Sequence, residues 1–134
     1  MPLAWIVDDD DEMINAVRLM LRMLGLDVEA YRDARSAARR VMDGHRPHVL
    51  ILDINMPEVT GIDMLEFVRR RQDFERIPVL MLSSETTDVQ VDEALSLGAD
   101  AFVFKPVTIE ELEGALRKAF QARRPPRRAA PGAG

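Results

Sequence analysis

Five short apolar runs alternate with helical segments along the 134-residue chain, and this alternation constrains the fold more than any other feature. The runs are LAWIV (3–7), DVEAY (27–31), HVLIL (48–52), IPVLML (77–82) and AFVF (101–104). Four are nearly continuous in apolar residues, as strands covered on both faces must be, whereas 27–31 alternates in polarity and suits a sheet edge. Between the runs, apolar residues recur at helical spacing. Ile14, Val17, Leu21 and Leu24 share the first face, with Gly25 as its cap, and Asp33 opens a second segment that buries Ala34, Ala37, Ala38 and Val41 before Gly44. Thr60 and Asp63 open the third like a capping box, with Ile62, Leu65 and Val68 inward. The fourth is expected from about Thr87, with Val91, Ala94 and Leu95 inward and Gly98 at its end. Thr108 to Glu111 begins the fifth as another capping box, burying Ile109, Leu112 and Leu116. Strands alternating with helices give an α/β fold, a doubly wound (βα)5 parallel sheet with helices on both faces.

Such a sheet places ligands at the carboxyl ends of its strands. The residues found there are chemically complementary. The first run is followed by Asp8, Asp9, Asp10 and Asp11; the third runs into Asp53; the fourth ends at Ser83 and Ser84; the fifth ends at Lys105 and Pro106. Gathered carboxylates repel one another and call for a cation, and oxygen ligands favour Mg²⁺, or Mn²⁺, over zinc. With a metal and Lys105 beside it, one carboxylate can act as a nucleophile toward phosphorus. Asp10 and Asp11, with Glu12, suit a different role, capping the first helix at its positive end.

The motifs VDD, LDINMPEVTG, LSS and FKP, in that order, resemble the receiver domain of bacterial two-component response regulators. The resemblance covers residues 3 to about 121. It implies a flavodoxin-like sheet of order 2-1-3-4-5. It also implies that Asp53 is the phosphoacceptor. Asp8 and Asp9 would hold Mg²⁺ together with Asp53 and the backbone carbonyl of Asn55. Lys105 would contact the phosphoryl group, Ser83 would swing toward it, and Phe102 would follow Ser83 as a switch. The Lys105–Pro106 bond is expected to be cis. Asn55 and Glu85, each two residues beyond a site residue, would overlook the approach of hydrolytic water. Val107 stands where the family often has Phe, so a docking surface cannot simply be copied across.

Two other functions use the same chemistry. An aspartate-nucleophile phosphohydrolase also carries Asp-x-Asp after its first strand, but 134 residues leave no room for the cap domain such enzymes insert. An interaction module that has lost phosphorylation keeps the fold but usually lacks an acceptor, an acidic pair or the lysine, and all three are present here. The domain would thus be a signalling protein rather than an enzyme on a separate substrate. Its partners would be a histidine kinase or histidine phosphotransfer protein and a downstream protein target. It would work as a monomer or a phosphorylation-dependent dimer.

Composition excludes other classes. There is no cysteine, so no disulfide or thiolate metal site, and only two histidines, His45 and His48. No apolar run approaches the roughly 20 residues of a membrane span, and the N-terminus lacks a signal-peptide layout, so a cytoplasmic protein is expected. Net charge is -5, yet the last fourteen residues carry four arginines and no acid. An acidic body argues against general nucleic-acid binding. The expected organisation is a receiver domain over 1–121 and a disordered basic tail over 122–134, with no DNA-binding domain.

Overall fold

The computed structural model describes residues 1–84 and 88–124, with the side chains of 88 and 89 excepted. Five strands, β1 (Leu3–Val7), β2 (Asp27–Tyr31), β3 (Val49–Asp53), β4 (Val79–Ser83) and β5 (Ala101–Phe104), form one parallel sheet of order β2-β1-β3-β4-β5. Five α-helices connect and cover them: α1 (Asp11–Met23), α2 (Ala34–Met42), α3 (Gly61–Arg69), α4 (Asp88–Ser96) and α5 (Ile109–Ala122). The expected fold class and strand order are both found.

Side-chain alternation along the strands divides the core in two. Trp5, Val7, Leu50, Leu52, Val79 and Met81 face α2, α3 and α4, where Ala37, Val41, Met64, Leu65 and Val68 meet them. Ala4, Ile6, Val49, Ile51, Leu80, Leu82 and Val103 face α1 and α5, where Ile14, Val17, Leu21, Leu112 and Leu116 meet them. Every residue of β3 and β4 is buried, as their unbroken apolar sequences require. β2 is only partly buried, as expected of an edge strand.

Local signals set the helix ends. Asp10 caps α1 through its carboxylate and the Glu12 N–H, and Asp33 caps α2 through the Ser36 N–H. The Thr60–Asp63 capping box is complete in both directions. The one at Thr108 is half formed: its hydroxyl accepts from the Glu111 N–H at 3.2 Å but donates to the Glu111 carboxylate at 3.1 Å, so that carboxylate does not reach back to the backbone. After α1, Gly25 takes a φ of 90° while Leu26 N–H returns to the Leu21 carbonyl at 2.9 Å.

Three details differ from expectation. Leu95 lies 44% exposed on α4 rather than inward, while Ala94 and Leu97 pack against the core. β3 and β4 begin later than expected and run on to include Asp53 and Ser83, since pairing of Asp53 with Leu82 and of Ser83 with Phe104 continues the ladder. A 3-10 turn at Gln72–Phe74 buries Phe74 completely. The expected start of the fourth helix at Thr87 lies outside the described residues.

A buried ionic knot closes the amino-terminal end of the sheet. Asp100, 9% exposed, accepts from Val79 N–H and Arg69 at 2.8 Å each and from Arg123 at 2.7 Å. The same arginines donate to the Gly98 carbonyl at 2.9 Å, so the ends of α3, α4 and α5 are tied to β4 and β5. Burial, then the neighbouring Arg123, lowers the Arg69 pKa to about 10, while Asp100 opposes the shift.

Candidate functional site

At the carboxyl ends of β1, β3 and β5 the side chains of Asp8, Asp53 and Lys105 converge. The backbone fixes each strand end. Asp8 N–H donates to the Tyr31 carbonyl at 3.0 Å, Ile54 N–H to Leu82 at 2.9 Å, and Lys105 N–H to Ser83 at 2.8 Å. Lys105 Nζ then lies 3.2 Å from Asp8 Oδ2 and 3.3 Å from Asp53 Oδ1. The Lys105–Pro106 bond is cis, as expected.

Both carboxylates are removed from solvent, Asp8 fully and Asp53 to 2% exposure. Asp9 is exposed beside them, and one oxygen from each of the three aspartates lies within 4.8 Å of the others. Asp8 Oδ1 accepts from the Asp10 N–H at 3.0 Å, and Asp53 Oδ1 accepts from the Asn55 N–H at 3.2 Å. Burial raises the Asp8 pKa to about 6, and the Asp53 charge adds to it, against the lowering effects of the Asp10 N–H and Lys105. For Lys105, burial pulls the pKa down, but the charges and hydrogen bonds of Asp53 and Asp8 outweigh it and leave the ammonium favoured. One fixed cation between two buried anions, with a third carboxylate at the rim, leaves excess negative charge. That is the donor chemistry of a hard divalent cation.

The backbone around Asp53 is unusually close. A Cβ on Gly61 would stand 2.2 Å from the Asp53 carbonyl oxygen and 2.7 Å from its carbon, so the start of α3 lies directly against the end of β3. Only a residue without a side chain permits that approach. Between them, Glu58 takes a φ of 62°, which turns the loop back toward α3.

The other residues of the expected site lie around this centre. Ser83 is fully buried at the end of β4. Asn55 is exposed, and its side-chain amide donates to Ser84 Oγ at 3.1 Å, bridging the loops after β3 and β4. The sequence placed Ser84 at the end of the fourth run, but the bond from Asn55 depends on the pairing of β3 with β4, which no local pattern reports. Phe102 is half-buried on β5, packed on the core, with its ring centroid 5.1 Å from that of Phe104. Glu85 lies outside the described residues. Asp10 and Asp11 stay out of the cluster: Asp10 caps α1, and Asp11 pairs with Arg32.

The sequence matches the response regulator receiver domain family over residues 4–117. It is 34% identical over 116 residues to the chemotaxis protein CheY of Pseudomonas aeruginosa, covering 87% of this chain and 94% of that protein. It is also 34% identical over 121 residues to the transcriptional regulatory protein KdpE of Mycobacterium tuberculosis, covering 90% of this chain but 52% of that protein. The solved structure of chemotaxis protein CheY4 of Vibrio cholerae superposes with a TM-score of 0.82 at 31% identity, covering 89% of this chain and 98% of that one. These matches favour neither a phosphohydrolase nor a phosphorylation-silent module. The chain belongs to the response regulator receiver domain family.

Proposed function

We propose that Asp53 is the phosphoacceptor, receiving a phosphoryl group from a phosphohistidine on a histidine kinase or phosphotransfer protein. The observation that carries this reading is Lys105 Nζ held between Asp8 Oδ2 at 3.2 Å and Asp53 Oδ1 at 3.3 Å. In the transfer, an Asp53 carboxylate oxygen bonds to phosphorus as the bond from phosphorus to the histidine nitrogen breaks, and the imidazole leaves. Lys105 stays charged throughout and offers its ammonium to the phosphoryl oxygens. Asp8, Asp9, Asp53 and the Asn55 carbonyl would hold Mg²⁺, with Mn²⁺ an acceptable substitute for the same oxygen set. When bound, the metal would neutralise charge on the transferring group. The cluster of three aspartates within reach of one another fits such an ion, and burial with the Asp53 charge, which raises the Asp8 pKa, is a cost that a bound cation would relieve.

Ser83, buried at the mouth of β4, would turn its hydroxyl toward the phosphoryl oxygen, and Phe102 would change rotamer with it. That pair would convert phosphorylation into a changed protein-binding surface. The domain would also assist loss of its own phosphoryl group, with Asn55 and Glu85 overlooking the water's approach. In this reading transfer takes place in the cytoplasm, the partner is a kinase or phosphotransfer protein, and the output is a protein contact. Among the described residues no helix is long and apolar enough to cross a membrane.

Incubation with acetyl phosphate and Mg²⁺ followed by intact-mass measurement tests the reading. One added phosphoryl group, removed by hydroxylamine and absent from Asp53→Asn, is expected. Equal labelling of the Asn variant would overturn it.

A further inference from the structure

The end of the sheet remote from Asp53 carries a feature that phosphoryl transfer does not use. A trough of about 440 Å³ runs between the last turns of α5 and the loops that lead into β3 and β4. His48, Arg76, Pro78, Arg117, Phe120 and Arg124 line it, and no acid does. In a protein of net charge -5 that is a concentrated positive surface.

The cations differ in what they are free to do. Arg123 is committed to the knot, bonded to Asp100 and to the Glu75 and Gly98 carbonyls. Arg117 stands 3.8 Å from Glu113 on the exposed face of α5. Among the described residues, neither Arg76 nor Arg124 has a carboxylate within ion-pairing distance. His48 Nδ1 accepts from the Leu3 N–H at 2.9 Å, which fixes the ring and leaves its other nitrogen as a donor toward the trough. Phe120 is 37% exposed among these groups and, with Pro78, gives the floor an apolar strip.

We propose that this trough binds an extended acidic segment of a partner protein, one that carries apolar side chains among its carboxylates. Guanidinium groups take carboxylates in forked, charge-assisted pairs, and among the described residues Arg76 and Arg124 are the two arginines of the trough without a carboxylate partner. An apolar side chain between the carboxylates would cover Phe120 and Pro78. The chain's own C-terminal segment is unsuited as occupant. After Arg124 the sequence has two arginines and no acid, so it shares the trough's charge. A long nucleic acid is disfavoured because its phosphates would extend over an acidic body. The site lies at the opposite end of the strands from Asp53 and stands independently of the phosphoacceptor reading.

Fluorescence anisotropy with the full chain and a labelled Glu-Glu-Leu-Glu-Glu-Leu-Glu-Glu peptide tests the proposal. The wild type should bind it in low salt, and the Gln-for-Glu peptide should bind at least about tenfold more weakly. Arg76→Glu with Arg124→Glu should weaken the acidic peptide by at least about tenfold, and Arg76→Gln with Arg124→Gln should do so to a smaller extent. Phe120→Ala should weaken the Leu-containing peptide more than an all-Glu one. Circular dichroism checks that each variant is folded. No binding by the wild type, or equal binding by a folded charge-reversed variant, would overturn the proposal. So would tighter binding of a single-stranded oligonucleotide or of inorganic phosphate at these same arginines.

Discussion

Adding one methyl group at Gly61 should damage the site without touching a reacting atom. The Cβ of Gly61→Ala would stand 2.2 Å from the Asp53 carbonyl oxygen, 2.7 Å from its carbon and 3.0 Å from the Ile54 Cα. An ordinary contact between such atoms is roughly 3.5 Å, so α3 and the end of β3 must part by on the order of 1 Å. All three contacted atoms are backbone, so no flexible side chain can absorb the overlap. Overpacking of this kind costs about 1–3 kcal/mol. The same shift moves the Asp53 carboxylate away from Lys105, and a misplacement near 1 Å can reduce a rate by on the order of a hundredfold. Phosphorylation by acetyl phosphate should therefore slow by about tenfold or more, equivalent to roughly 1.4 kcal/mol or more of barrier. Gly114→Ala is the control, because its Cβ would meet nothing within 4 Å on exposed α5. It should stabilise the protein by about 0.5–1 kcal/mol and leave phosphorylation unchanged. Urea melts give the stabilities, and timed intact-mass measurement gives the rates. A folded Gly61→Ala protein that phosphorylates at the wild-type rate would refute the claim that this close approach positions Asp53.

Three further outcomes follow from the charges. In EDTA at neutral pH, Asp8→Asn should raise stability by about 1 kcal/mol, since the raised pKa means that folding opposes ionisation of Asp8, partly offset by the lost Lys105 contact. That penalty is absent below the ordinary carboxyl value and complete above about 6, so urea melts of the two proteins should converge near pH 4, and added Mg²⁺ should stabilise the wild type. Asp100→Ala should cost about 3–5 kcal/mol in denaturant melts, because it strands Arg69 and Arg123 without their shared carboxylate. Asp33→Ala should cost about 1 kcal/mol at neutral pH through loss of the α2 cap. The Asp33 pKa is held below its ordinary value by the Ser36 N–H, so its contribution is full above that ordinary value and fades as pH falls through the lowered one; a melt difference that persists undiminished in strong acid would contradict this.

Much of the architecture was legible because both period and chemistry repeat along the chain. The continuous apolar runs marked the buried strands, and the aspartates, serine and lysine at their ends marked one edge of the sheet. Helix starts at Asp33 and Thr60 were readable because a cap is a local hydrogen bond. What stayed hidden depends on pairing across the fold. Asp100 looks like any polar residue before a strand, and its two arginines come from positions 69 and 123. Leu95 fits the helical stripe of α4 but lies 44% exposed, lining a groove with Phe102 and Phe104 of β5. The bond between Asn55 and Ser84 likewise depends on β3 lying beside β4, a tertiary fact that neither loop states. The trough between Arg76 and Arg124 joins loop and helix ends far apart in sequence.

The central claim is that Asp53 itself carries the phosphoryl group. Borohydride reduces an acyl phosphate to an alcohol, which converts a phosphorylated aspartate to homoserine and leaves a free carboxylate untouched. The protein should be phosphorylated with acetyl phosphate and Mg²⁺, reduced, digested and sequenced by tandem mass spectrometry. Homoserine is expected at position 53 alone, dependent on both the donor and Mg²⁺. Homoserine at position 8 or 9 instead, or none at 53 in a protein that has gained the phosphoryl mass, would contradict it.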